Sequence, residues 1–200
     1  MLRSALILVC ATTAMTAMTA MTATSLTAQQ PAPALTAAPS TRATTVVSLN
    51  PPRGSQGINP ARIRIDYGQP HLRGRALHTS DLVPLDSVWR MGANEATELE
   101  AGVDLLIGGH SVPKGKYTLF ALPTASAWKL IVNKNTGQWG TDYKVEHDHA
   151  RIDLSERTLT SPVESLSIWL IPSTQPGPPS GELRISWGDT QLSTTWAAKQ

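Results

Sequence analysis

The sequence predicts an all-β chain: an antiparallel β-sandwich or jelly-roll-like domain of about nine strands with little or no helix. Three observations carry this. Short segments alternate apolar and polar residues with a period of two. Turn residues (Gly, Pro, Asn, Asp) punctuate them at intervals of roughly 8 to 12 residues. Six tryptophans are spread through a chain of 200 residues, and aromatics suit the space between packed sheets.

Residues 1–28 read as a signal peptide. Arg3 supplies the positive start, Ala5 to Ala11 the apolar run, and small residues near Ala28 the expected cleavage point. A transmembrane helix is the rival reading, but the apolar run falls well short of the roughly 20 residues a bilayer requires. A lipid anchor at Cys10 would want a small residue where Val9 stands. Residues 29–44, rich in Pro, Ala and Thr, read as a disordered tether because they offer almost nothing to bury. The folded domain is expected over residues 45–198, and the chain is expected in the periplasm or secreted.

Within the domain, "ARIRIDYG" sets Ile63, Ile65 and Tyr67 against Arg62, Arg64 and Asp66, a strand with one buried and one wet face. Gly108-Gly109 divides "VDLLI" from "HSV" as a hairpin turn would, and Lys114-Gly115 introduces "KYTLFALP". "KYTLFALP" and "SLSIWLIP" are apolar on both faces, which predicts central strands covered on each side. "AWKLIVNK" is intermediate. "GELRISWG" repeats the alternation with Leu183, Ile185 and Trp187 inward, after a Pro-rich loop at 172–181. Trp128, Trp187 and Trp196 fall on inward faces, while Trp89 and Trp139 fall in turns. "LVPLDSVWRMG" has room for one helical turn.

Cys10 is the only cysteine and lies in the leader, so the mature chain has no disulfide, thiolate metal site or Cys nucleophile. Of 17 basic residues only Arg3 lies in the leader, leaving 16 against 15 acidic ones, or +1. That balance, without a basic cluster, points away from nucleic acid and anionic membranes. No membrane-spanning segment follows the leader, no cofactor is implied, and the oligomeric state is not legible.

"DYGQPHLRGR", "VWRMGANEAT", "KGKYTLFALP" and "NKNTGQWG", in this order, resemble the signature blocks of an exported bacterial family catalogued as domain of unknown function 2911. The resemblance covers residues 50–198 and implies an exported all-β domain, with no activity, cofactor or catalytic residue to carry over. It departs at "ALHTSDLVPLDSVWR", where the pattern has a Phe-Gly step and a Gly shortly before the Val-Trp-Arg.

Chemistry concentrates in "WRMGANEATE". Gly92 and Asn94 suit a turn with positive φ. Two readings are open. In one, Arg90 and Glu95 meet across the turn as a partly buried pair that fixes its geometry. In the other, Arg90 clamps a carboxylate, phosphate or sugar hydroxyl. Asn94 and Glu95 then add hydrogen bonds, Trp89 or Trp139 stacks on the ligand, and Tyr67 and Arg75 stand nearby. The functional expectation is a non-enzymatic module for a small-molecule or glycan ligand. The alternatives are a hydrolase-type enzyme with Glu95 as acid or base and Arg90 stabilising negative charge, and an envelope structural protein without a ligand site.

No metal is expected; the nearest approach to a ligand set is His147, His149 and Asp153, which would share one face of a strand. Glu98 and Glu100 share a strand face about 7 Å apart, but exposed acidic alternation of this kind is common. No Gly-x-Ser-x-Gly elbow is present.

Overall fold

A computed structural model describes residues 35, 36 and 38–199. The expected signal peptide, and residues 29–34 and 37 of the expected tether, lie outside the described residues. Nine strands follow: β1 (Arg42–Leu49), β2 (Ala61–Gly68), β3 (Thr97–Ala101), β4 (Leu105–Ile107), β5 (His110–Val112), β6 (Gly115–Pro123), β7 (Trp128–Asn133), β8 (Asp148–Pro172) and β9 (Ser180–Ala198). All pairings are antiparallel, in the order β1-β2-β3-β6-β7-β8-β9-β4-β5. The chain is all-β, and its strand order is that of one continuous sheet rather than two. β1 begins at Arg42, so the last three residues of the expected tether are already strand.

Alternation places the core as the sequence predicts in β2, where Ile63, Ile65 and Tyr67 are buried. The outward face of β1 to β3 is an ionic ladder in which Arg42 and Arg64 hold Asp66, and Arg62 pairs with Glu100 at 3.2 Å. β6 is covered on both faces: Leu119 and Ala121 face the core, while Phe120 on the other face meets Tyr143 edge-on at 5.0 Å. No α-helix occurs among the described residues. The 82–92 segment is a run of turns and bends, and the one 3₁₀ turn among the described residues is Val145–His147.

β8 spends residues 148–154 pairing with β7, then pairs with β9 from Ser155 onward, with register shifts between Thr158 and Val163 and between Val163 and Ser167. Its later half reaches back to the first strands. The Leu170 amide donates to Thr45 Oγ1 at 3.2 Å, and the Ile168 amide to the Tyr67 hydroxyl at 3.1 Å. "SLSIWLIP" is not covered on both faces as its composition predicts. Leu166, Ile168 and Leu170 are buried, but Trp169 points outward and is 57% exposed.

Trp89, Trp128 and Trp187 form one aromatic group. Trp89 stacks on Trp187 (centroids 5.9 Å, planes at 16°) and meets Trp128 edge-on at 6.3 Å. Each such pair adds about 0.5–1.5 kcal/mol beyond the area it buries. Trp89 comes from a turn, so this group fastens the 89–97 loop to the core.

Candidate functional site

The loop after Trp89 is built on backbone contacts. Trp89 exchanges two hydrogen bonds with Ala121 on β6, at 2.7 and 2.8 Å. Met91 (φ 49°) and Asn94 (φ 62°) take the left-handed conformation, not Gly92. Gly92 serves close approach instead: a Cβ there would stand 2.9 Å from Thr97 Oγ1 and 3.0 Å from the Gly68 carbonyl. Thr97 Oγ1 donates to the Met91 carbonyl at 2.8 Å, which closes the turn from within.

A second loop, 134–143, docks on the first. The Gly140 amide donates to the Asn94 carbonyl at 3.1 Å, the Ala96 amide donates to the Gln138 carbonyl at 3.3 Å, and Glu95 and Trp139 pair as a single antiparallel bridge. Gly140 is required for contact, since a Cβ would lie 2.6 Å from the Asn94 carbonyl and 2.7 Å from Arg90 Cδ. The second loop is held at its base by Asn133. Its amide donates to the Lys144 carbonyl (2.9 Å) and to Asp148 (2.8 Å), while its Oδ1 accepts from the Asn135 amide.

Where the loops meet, Arg90 lines a cleft of about 210 Å³ together with Leu82, Phe120, Thr141, Tyr143 and the edge of Trp89; Asp81 also lines it. Arg90 is half-buried and forms no ion pair among the described residues. The Tyr143 hydroxyl donates to Asp148 at 2.7 Å and accepts from Arg151 at 2.8 Å. Burial first, and then the Asp148 carboxylate, push the Tyr143 phenol up to about 12. Tyr143 therefore stays a neutral, fixed wall of the cleft at ordinary pH.

The other sequence-predicted residues are divided among different places. The Arg90–Glu95 pair does not form. Glu95 is exposed and its carboxylate lies 3.7 Å from Arg42 instead. Asn94 is exposed, with its amide 3.4 Å from the Ser40 carbonyl. Trp139 is 49% exposed, whereas Trp89 is 5% exposed and belongs to the core, not to a stacking surface. Tyr67 is buried, and its hydroxyl is committed to Ile168; burial raises its pKa. Arg75 turns back on its own loop and donates to the Leu72 and His71 carbonyls at 2.9 and 2.8 Å.

The proposed sharing of a strand face by His147, His149 and Asp153 does not occur, because His147 lies in the 3₁₀ turn before β8 begins. His149 Nε2 is 2.8 Å from the Ser111 carbonyl, and Asp153 pairs with Lys129. Among the described residues no three His, Asp or Glu side chains gather as a metal would require. Phe120, Thr141 and Tyr143 also line the cleft, and no chemical motif in the sequence marks them. Their one signal is position: Thr141 and Tyr143 directly follow the "GQWG" block, whose docking on the 89–97 loop only the tertiary structure shows.

Fold and site define an all-β protein of one nine-strand antiparallel sheet, with a cleft lined by Arg90, Asp81 and aromatic side chains at the junction of two loops. Residues 51–195 match the family described as Protein of unknown function (DUF2911), and the chain belongs to that family. No curated protein and no solved structure matches it.

Proposed function

We propose that this chain is an exported, non-enzymatic binding module whose Arg90 cleft takes a small anionic ligand, a sugar acid fitting it best. The observation that carries the reading is Arg90 itself. It is half-buried and in no ion pair among the described residues, although Asp81 lines the same cleft, and a ligand carboxylate would complete it with two parallel hydrogen bonds. The cleft, at about 210 Å³, lies below the roughly 300–1,000 Å³ of drug-sized sites, so a single sugar ring is the right scale. Tyr143, backed by the buried Phe120, supplies an apolar wall for the ring face. Thr141 and Asp81 supply partners for hydroxyls.

A hydrolase using Glu95 with Arg90 is disfavoured because those two groups do not share a site. A purely structural envelope protein needs no such cleft. The hydrogen bonds from late β8 to Thr45 and Tyr67 support the further reading that the sheet doubles over into a sandwich, with this cleft on its loop-rich end.

The test is a thermal-shift titration of the full chain with D-glucuronate, D-galacturonate and glucose 6-phosphate, with glucose as the neutral control. A ligand that binds only the folded state raises its stability by RT ln(1 + [L]/Kd). A rise with one of the acids that glucose does not give, lost in Arg90→Gln and kept in Glu95→Gln, is expected. No rise with any of the three acids, or a rise that survives Arg90→Gln, sinks the reading.

A further inference from the structure

Trp169 is the most exposed tryptophan among the described residues at 57%, and it lies on strands, not on a loop. Its cross-strand partner on β9 is Arg184, and the next outward pair is Ser167 with Ser186. Directly opposite residues of an antiparallel pair stand about 4.5–5.5 Å apart at Cβ, so these four side chains tile one patch. Together with Val163 and Gln191 they line a groove of about 310 Å³ on the outward face of the β8–β9 hairpin.

The one charge that lines this groove is cancelled, and Arg157 stands at its edge. Arg184 is its only ionic side chain and is locked to Glu182 by two hydrogen bonds, Nε to Oε1 at 3.0 Å and Nη2 to Oε2 at 2.7 Å. The pair holds the guanidinium in a fixed plane and neutralises it. Gln191 Oε1 accepts from Arg157 at 3.0 Å, so the amide NH2 remains as its donor. An indole face, serine hydroxyls, one amide and a lining whose single ionic group is already paired, with Arg157 at the edge engaged by Gln191, describe a partner that is rich in hydroxyls, apolar on one face and needs no charge of its own. A pyranose ring has those properties; an acidic or basic peptide and a lipid headgroup do not.

We propose that the outward face of β8–β9 around Trp169 is a binding surface for a neutral polysaccharide, separate from the Arg90 cleft. The indole stacks on a sugar ring, and Ser167, Ser186 and Gln191 bond its hydroxyls. Strand positions keep the platform rigid, so little ordering entropy opposes binding.

The experiment is affinity electrophoresis of the full chain in native gels holding hydroxyethylcellulose, galactomannan or dextran, with alginate as the anionic comparison. Retardation by at least one neutral polymer is expected. Its Kd should rise about tenfold or more in Trp169→Ala, as for an aromatic at the centre of a contact, and stay unchanged in Trp139→Ala. Ser186→Arg, which fills the groove and keeps Trp169, should give the same loss and guards against a folding defect in Trp169→Ala. No retardation by any neutral polymer, or equal retardation of parent and both groove variants, overturns the proposal. A concentration-dependent dimer in sedimentation that Trp169→Ala abolishes overturns it too, by assigning the face to a second copy of the chain.

Discussion

Arg42, 53 residues before Glu95 in the chain, is the cation that holds it: its Nη1 donates to the Glu95 carbonyl at 3.2 Å and lies 3.7 Å from the carboxylate. Arg90, five residues away from Glu95 in sequence, serves a different surface. The "WRMGANEATE" stretch is thus both a structural turn and the source of a site, with the two roles carried by different residues. Its backbone is fixed by Ala121, Gly68 and Gly140, and this leaves the Arg90 side chain to the cleft.

A double-mutant cycle separates these roles. Arg90→Ala and Glu95→Ala should be additive in unfolding free energy within about 0.3–0.5 kcal/mol, since they share no partner. Arg42→Ala and Glu95→Ala should show a coupling of about 0.2–1 kcal/mol, the scale of an exposed pair. Urea denaturation of the six proteins measures both. A coupling of several kcal/mol between Arg90 and Glu95 would restore the buried pair that the turn's composition suggests.

The strands were legible because their signal is local. Ile63, Ile65 and Tyr67 declare their face by alternation alone, and Gly108-Gly109 marks a hairpin whatever surrounds it. What surrounds a strand is not local. "SLSIWLIP" reads as doubly covered, yet its outward residues include Ser165, Ser167 and Trp169, and across from the last two "GELRIS" sets Ser186 and Arg184. The serines were a visible sign of a wet face, overridden by the one large aromatic among them. The Arg90 cleft was half legible. The turn named the arginine, but its walls come from β6 and from a loop about 50 residues downstream, and only the docking of Gly140 on Asn94 brings them together.

The two turn tryptophans should separate sharply in stability. Trp89, stacked on Trp187 and edge-on to Trp128, is a core side chain despite its irregular segment. Trp89→Ala should cost about 3–5 kcal/mol, the range for a buried aromatic. Trp139→Ala should stay within about 0.5 kcal/mol of the parent, as exposed positions do. Thermal unfolding by circular dichroism reads both, and a parent-like Trp89→Ala would remove Trp89 from the core.

Gly140 tests the docking of the two loops without touching a charge. Its φ is not in the left-handed region, so alanine is objectionable only for space: the new Cβ meets the Asn94 carbonyl at 2.6 Å and Arg90 Cδ at 2.7 Å. The carbonyl is backbone and cannot yield without moving the turn. Gly140→Ala should therefore cost about 1–3 kcal/mol, as overpacking does. It should also weaken any ligand held by Arg90, because the arginine stem must shift. Denaturation and the uronate titration on the same protein check both parts.

Alkaline pH should act through the tyrosines. Tyr143 is raised from 10.0 to about 12 by burial and by Asp148, and burial also raises Tyr67 and Tyr117. A phenol whose folded pKa exceeds its unfolded one keeps its proton longer in the native state, so the native state binds more protons between those values and stability falls as pH rises. The contribution of Tyr143 is complete below pH 10.0 and is lost on the way to about pH 12. Urea midpoints measured from pH 8 to 12 should decline over that window in the parent. Tyr143→Phe, less stable at pH 8 for want of the Asp148 hydrogen bond, should decline less steeply because it has one fewer proton to lose. Parallel curves would mean that Tyr143 titrates alike folded and unfolded, and the fixed neutral wall assigned to the cleft would have to be abandoned.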